Sequence, residues 1–98
     1  MDSIDHIAVQ TESIIDSVKW YKEMFSCEVE YEDDSWALLK FENTKLALVV
    51  PNQHPPHIAV IRDNLESFGS PVKHRDGSES VYVKSPDNNT FELIRYPK

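Results

Sequence analysis

The sequence is poor in several things, and each shortage closes off a class of protein. It has a single cysteine, Cys27, so no internal disulfide can form and a reducing compartment is expected. It has no cluster of lysine and arginine. The formal net charge is −7, from 17 acidic and 10 basic residues, which argues against nucleic acid as a partner. Long apolar runs are missing too: the longest, Leu46 to Val50, is far too short to span a bilayer. The N-terminus carries Asp2 and Asp5 instead of a basic stretch followed by an apolar one, so no signal peptide is expected. No glycine-punctuated loop of oxygen ligands surrounds Glu28, Glu30, Glu32, Asp33 and Asp34, so these read as a solvated acidic face and not a calcium site. The expectation is a cytoplasmic protein with neither membrane nor nucleic-acid partners.

What is present is a four-residue word that occurs twice. His6-Ile7-Ala8-Val9 returns, nearly half the chain later, as His57-Ile58-Ala59-Val60. Such a recurrence marks two copies of one supersecondary unit. In each copy histidine and alanine alternate with isoleucine and valine, as in a half-buried strand. Two equivalent strands would each present one imidazole. With 98 residues, 40% apolar and 28% charged, the chain is an ordinary globular composition and a single small domain, 1–98. Its core is thin, so a homodimer is expected as a source of further burial.

The first module, about residues 1–50, reads βαβββ. A strand at Ile4 to Val9 leads to a helix from about Ser13 to Phe25, capped by Thr11 or Ser13. Ile14, Ile15, Val18, Tyr21, Met24 and Phe25 recur along it at helical spacing. Strands follow at Cys27 to Tyr31, Ser35 to Phe41 and Lys45 to Val50. Cys27 reads as a small buried hydrophobe at a strand start. A linker at 51–56 contains Pro51, Pro55 and Pro56, which continue neither ladder nor helix. The second module, 57–98, repeats the order with its helix cut to a turn or two. That turn is capped by Asp63 or Asn64, runs through Phe68, and is closed by Gly69 and Pro71. A brief strand at Val72 to His74 and a hairpin of Ser80 to Lys84 with Thr90 to Tyr96 complete it. Strands in runs joined by short turns point to α+β, not to a parallel α/β sheet. The expected fold is two βαβββ modules forming an open, curled, mostly antiparallel eight-stranded sheet. Helices would lie outside, and the inner face would receive His6 and His57.

A third candidate for chemistry lies in the last strand. Glu92 interrupts the otherwise apolar Phe91-Glu92-Leu93-Ile94, and an unpaired buried carboxylate is costly unless something such as a cation offsets it. Two imidazoles and one carboxylate form a recognised ligand set for zinc, iron(II), manganese or nickel, with positions left open for substrate and water. Tyr82 shares the hairpin, and its hydroxyl could reach a metal-bound substrate oxygen or simply make a cross-strand aromatic contact. His54 reads as a solvated histidine of the proline loop, and His74 as a surface turn residue. Trp20, Tyr21 and Phe25 read as core residues of the first helix. Spacing leaves open whether Trp36 and Phe41 line the trough or pack beneath that helix.

These residues resemble the vicinal oxygen chelate superfamily, which includes glyoxalase I, fosfomycin-resistance enzymes, extradiol dioxygenases, methylmalonyl-CoA epimerase and bleomycin-binding proteins. The carriers are Asp5-His6-Ile7-Ala8-Val9, Trp20-Tyr21, His57-Ile58-Ala59-Val60, and Val81-Tyr82-Val83-Lys84-Ser85-Pro86-Asp87-Asn88-Asn89 leading to Phe91-Glu92-Leu93. The resemblance covers almost the whole chain. It implies a divalent metal held by residues matching His6, His57 and Glu92, with Glu92 and Tyr82 as candidate catalytic groups. Ser85 stands where family members usually carry aspartate, and Asn88 where they carry glycine; asparagine tolerates a left-handed turn. Leu46 to Val50, the first-module counterpart of the Glu92 strand, lacks the carboxylate that supplies a fourth ligand in some members, so this resembles a three-ligand case. The activity implied is that of a metal-dependent lyase, isomerase, epimerase, transferase or dioxygenase that chelates neighbouring oxygens of a small substrate. The alternative is a non-catalytic drug-binding protein of the bleomycin-resistance type.

Overall fold

The computed structural model describes residues 1–98. Its elements are β1 (Ser3–Gln10), α1 (Ile14–Met24), β2 (Glu28–Glu32), β3 (Trp36–Lys40), β4 (Lys45–Val49), β5 (His57–Ile61), β6 (Val72–Lys73), β7 (Glu79–Lys84) and β8 (Thr90–Arg95). The fold is α+β, with eight strands in mixed parallel and antiparallel pairs and a single helix. The chain divides into two compact units, one of residues 6–56 and one of residues 1–5 with 57–98.

In the unit of residues 6–56 the strand order is β2-β3-β4-β1. Antiparallel pairs join β2 to β3 and β3 to β4, while β1 runs parallel to β4. The helix starts where Ser13 leaves the helical conformation, with its hydroxyl accepting the Asp16 N–H at 3.3 Å. This satisfies one of the donors that a helix start leaves without an internal partner. Asp16 in the first turn and Lys22 in the last complement the helix dipole. Ile14 and Val18 are buried, and they pack with Cys27, Ala37, Leu39 and Leu48 into one core. Tyr21 and Phe41 lean on it, so Phe41 lies beneath the helix.

Trp20 and Phe25 are corrected by the structure: both rings are exposed. They pack edge-on against Tyr21 and Phe41 instead of filling the interior. The buried stripe of α1 is therefore narrower than its run of apolar residues. Alternation along β3 sends Ala37 and Leu39 to the helix and turns Trp36 to the other face. There it stacks on Tyr31, with ring centroids 4.6 Å apart. By the same alternation His6 and Ala8 lie on the face of Ala47, while Val9 and Leu48 face the helix.

In the unit that contains residues 57–98 the order is β5-β8-β7-β6, with β5 parallel to β8 and the other pairs antiparallel. The second helix, expected to be cut to a turn or two, is reduced to a single turn. Residues 65–68 make one turn, closed by the Phe68 N–H on the Leu65 carbonyl at 2.9 Å. The physical reason is length: a helix nucleus is costly, and Leu65 and Phe68 are too few apolar residues to stabilise one before Gly69 and Pro71. Leu65 alone performs the covering role. It is fully buried against Val81 and Leu93, with Val60 and Val83 around them. Asn88 takes up the left-handed conformation expected of it, at φ 68°. Ser85, in place of an aspartate, accepts the Asn89 N–H through its hydroxyl at 3.1 Å. This closes the hairpin that sets the register of β7 on β8.

Arg95, at the end of β8, grips both Glu66 oxygens at 3.0 Å and Glu79 Oε1 at 3.0 Å. The guanidinium hydrogen bonds hold the Glu66 carboxyl down from 4.5 to about 2. A carboxyl with a depressed pKa stabilises the fold above its unfolded value and loses that contribution as pH falls through the folded one. Glu66→Gln should therefore lower stability at neutral pH and flatten the acid limb between about pH 4.5 and 2. The effect should be small, because the pair is exposed to solvent. Leu65→Ala leaves a cavity in place of the missing helix and should cost about 2–5 kcal/mol in urea unfolding. A loss well below that range would mean that Leu65 is not the plug of this core.

Candidate metal centre

The second unit's sheet uses its two faces differently. Leu93, Val81 and Val60 point toward Leu65. Glu92 pairs with Ala59 on β5 and with Tyr82 on β7, so these lie on the opposite face together with His57, two residues before Ala59. The alternation of each strand thus delivers an imidazole, a carboxylate and a phenol to one surface.

His57 and Glu92 are both buried, with side chains only 4% and 7% exposed. His57 Nε2 lies 3.3 Å from Glu92 Oε1. Tyr82 sets its ring edge-on to the His57 imidazole, with centroids 5.4 Å apart. Burial, then the nearby Glu92 charge, pushes the Tyr82 phenol up to about 12. At neutral pH it is a hydrogen-bond donor and not a base. His6 is half-buried on β1. His6, His57 and Glu92 each carry one atom able to bind a metal ion. Of the residues singled out as ligands in the sequence, His57 and Glu92 stand together within this unit.

The donor set fits a divalent cation. Two donors about 2.0–2.2 Å from one tetrahedral ion sit roughly 3.3–3.5 Å apart, and the His57–Glu92 spacing matches that. Imidazole nitrogen and carboxylate oxygen suit zinc, iron(II), manganese and nickel alike. His54 is exposed in the turn after β4, where its backbone carbonyl accepts from Gln10 Nε2 at 2.9 Å; it is not one of the three candidate ligands.

His74 is the residue that sequence reasoning missed. Read as a surface turn residue, it instead reaches inward, with Nε2 2.7 Å from Ser80 Oγ and 3.8 Å from Glu92 Oε2. The only signal in the sequence was indirect: Ser80, next to the apolar Val81, needs a partner once buried.

The chain matches no protein-family model and no curated protein. Solved structures do match it. A hypothetical protein from Bacillus halodurans C-125 has 17% identity and a TM-score of 0.79, covering 99% of this chain and 96% of its own. A glyoxalase/bleomycin resistance protein/dioxygenase superfamily member from Vibrio splendidus 12B01 has 13% identity and a TM-score of 0.76, over 97% of this chain and 99% of the other. Methylmalonyl-CoA epimerase from Streptomyces coelicolor, in complex with 2-nitronate-propionyl-CoA, has 17% identity and a TM-score of 0.75, over 98% of each chain. At these identities the likeness is one of fold, and it is the fold that the sequence resembles: the chain has the architecture of the vicinal oxygen chelate superfamily.

Proposed function

We propose that the protein is a divalent-metal-dependent enzyme that acts on a small substrate through two neighbouring oxygens. The observation that carries this reading is the buried pair of His57 and Glu92, with Nε2 3.3 Å from Oε1, to which His6 would add the third ligand. A buried histidine–carboxylate pair is a poor way to stabilise a core, since apolar residues of similar volume often do as well or better. The pair makes chemical sense as a ligand set.

When bound, a metal supplies Lewis-acid stabilisation of the negative charge that develops on substrate oxygens. The chain's own residues do the rest. His57 and Glu92 sit on paired strands, which hold donor geometry better than loops. Tyr82, opposite Glu92 in the hairpin, keeps its proton to about 12 and so can donate a hydrogen bond to a substrate oxygen throughout the neutral range. Isomerisation, epimerisation, lyase chemistry, group transfer and ring-cleaving oxygenation all draw on this arrangement. One neighbour is an epimerase solved with a CoA ligand. Here the net charge of −7 disfavours a carrier bearing several phosphates, so the reading favours a small free substrate.

A second reading, a non-catalytic binder of cationic aromatic compounds, is favoured by one feature. Tyr31 and Trp36 stack at a partly exposed surface beside Glu30, Glu32 and Asp33, and such rings attract a desolvated cation. Metal-free protein that binds a cationic aromatic dye, and loses it in Trp36→Ala, would favour this reading.

For the enzyme, elemental analysis of protein purified without added metal should find a bound divalent ion. His57→Ala should lose it while the circular dichroism spectrum stays unchanged; retention of full stoichiometry would sink the site. Because imidazoles ligate only when neutral, bound metal should also decrease as the pH is lowered into the range where histidines protonate, roughly 6. Constant occupancy well below that range would count against histidine ligation.

A further inference from the structure

His74 follows β6 and is held on both sides by backbone hydrogen bonds. Its N–H donates to the Ser78 carbonyl at 2.8 Å, and its carbonyl accepts the Gly77 N–H at 3.0 Å. Gly77 permits this turn because its φ of 88° lies in the left-handed region. Asp76 completes the turn by accepting the Ser78 N–H at 2.9 Å and the Ser78 hydroxyl at 2.6 Å. The loop is thus closed by its own hydrogen bonds. The fixed direction of the side chain is toward Glu92.

The Glu92 carboxylate is flanked at both oxygens. Oε1 faces His57 Nε2 at 3.3 Å, and Oε2 faces His74 Nε2 at 3.8 Å. Ser80 Oγ, 2.7 Å from the same His74 nitrogen, belongs to a residue that is only 1% exposed. A lone pair on His74 Nε2 would oppose the carboxylate lone pairs, so the tautomer with the proton on Nε2 is favoured. That N–H then donates to the Ser80 hydroxyl, with Glu92 Oε2 at 3.8 Å feeling its positive end.

We propose that His74, backed by Ser80, is a positioning residue for Glu92, orienting the carboxylate so that Oε1 is the atom presented to a metal ion. The inference rests on the metal-centre reading above. A carboxylate free to rotate can offer either oxygen or both. The His74 imidazole edge, 3.8 Å from Oε2 and so beyond hydrogen-bond length, limits that freedom electrostatically and favours one-point ligation. Partners of this kind typically change metal affinity by about 10–100-fold when removed. His74 is not one of the candidate ligands in this arrangement.

The test uses Co²⁺ as probe, with affinity read by competition against a chromophoric chelator and geometry read from the visible absorption of bound Co²⁺. The wild type should bind one ion. His74→Ala should weaken binding by about 10–100-fold and alter the Co²⁺ spectrum, with the metal-free melting temperature little changed. His74→Gln places an amide N–H near the same carboxylate oxygen and should recover most of both. Ser80→Ala should give a smaller loss in the same direction. If the wild type binds Co²⁺ and His74→Ala matches it in affinity and spectrum, the positioning role is overturned while the metal centre stands. If His74→Gln is as impaired as His74→Ala, an N–H facing Glu92 is not what His74 contributes. If the wild type binds no Co²⁺, the metal-centre reading fails and takes this inference with it.

Discussion

Glu92 and His57 lie on neighbouring parallel strands, both nearly stripped of solvent, with Oε1 and Nε2 3.3 Å apart. Taking a carboxylate and an imidazole out of water costs several kcal/mol per charged group unless each finds a partner. The second unit is arranged so that they do. The parallel register sets Glu92 beside Ala59, so the small side chain leaves space and His57 comes within reach. The antiparallel register places Tyr82 across from Glu92, and the hairpin closed by Ser85 and Asn88 maintains that register. Leu65, Val81 and Leu93 occupy the other face, so the apolar core and the polar cluster do not compete for the same surface.

The two modules meet the same requirement, a cover for one sheet face, by different means. In the unit of residues 6–56 an eleven-residue helix supplies Ile14 and Val18. In its counterpart a single turn supplies Leu65. A long helix can leave much of its surface in water, and Trp20, Met24 and Ile15 are indeed exposed. A turn has no such surplus. Its one apolar contact is flanked instead by electrostatic ties, with Arg95 reaching the Asp63 carbonyl at 2.8 Å and both oxygens of Glu66. Arg62 lies over the Phe68 ring, 5.4 Å from its centroid.

Local signals were read well because their physics is local. Ser13 caps α1 since a hydroxyl before an apolar-periodic run satisfies donors that would otherwise be left over. Asn88 turns left-handed because its short polar side chain tolerates that region. Cys27 is buried in the core as a small hydrophobe. Other features were not legible. Trp20 and Phe25 fit a helical spacing, yet spacing does not say how wide a stripe the sheet below can cover. His74 looked like a solvated turn residue because its neighbours Arg75 and Asp76 are charged, whereas its role depends on Ser80 and Glu92 in two other strands.

The order of elements, the duplicated His-Ile-Ala-Val strand, the position of each turn and the identity of three candidate ligands were determined by the sequence alone, through alternation and turn chemistry acting over a few residues. Which oxygen of Glu92 meets which histidine was decided only in three dimensions. So were the parallel pairing of β1 with β4 and of β5 with β8 and the inward reach of His74. Strand pairing joins residues far apart in the chain. A shift of one position would turn each side chain to the opposite face, and the pattern within a single strand carries no record of the register that its neighbour adopts.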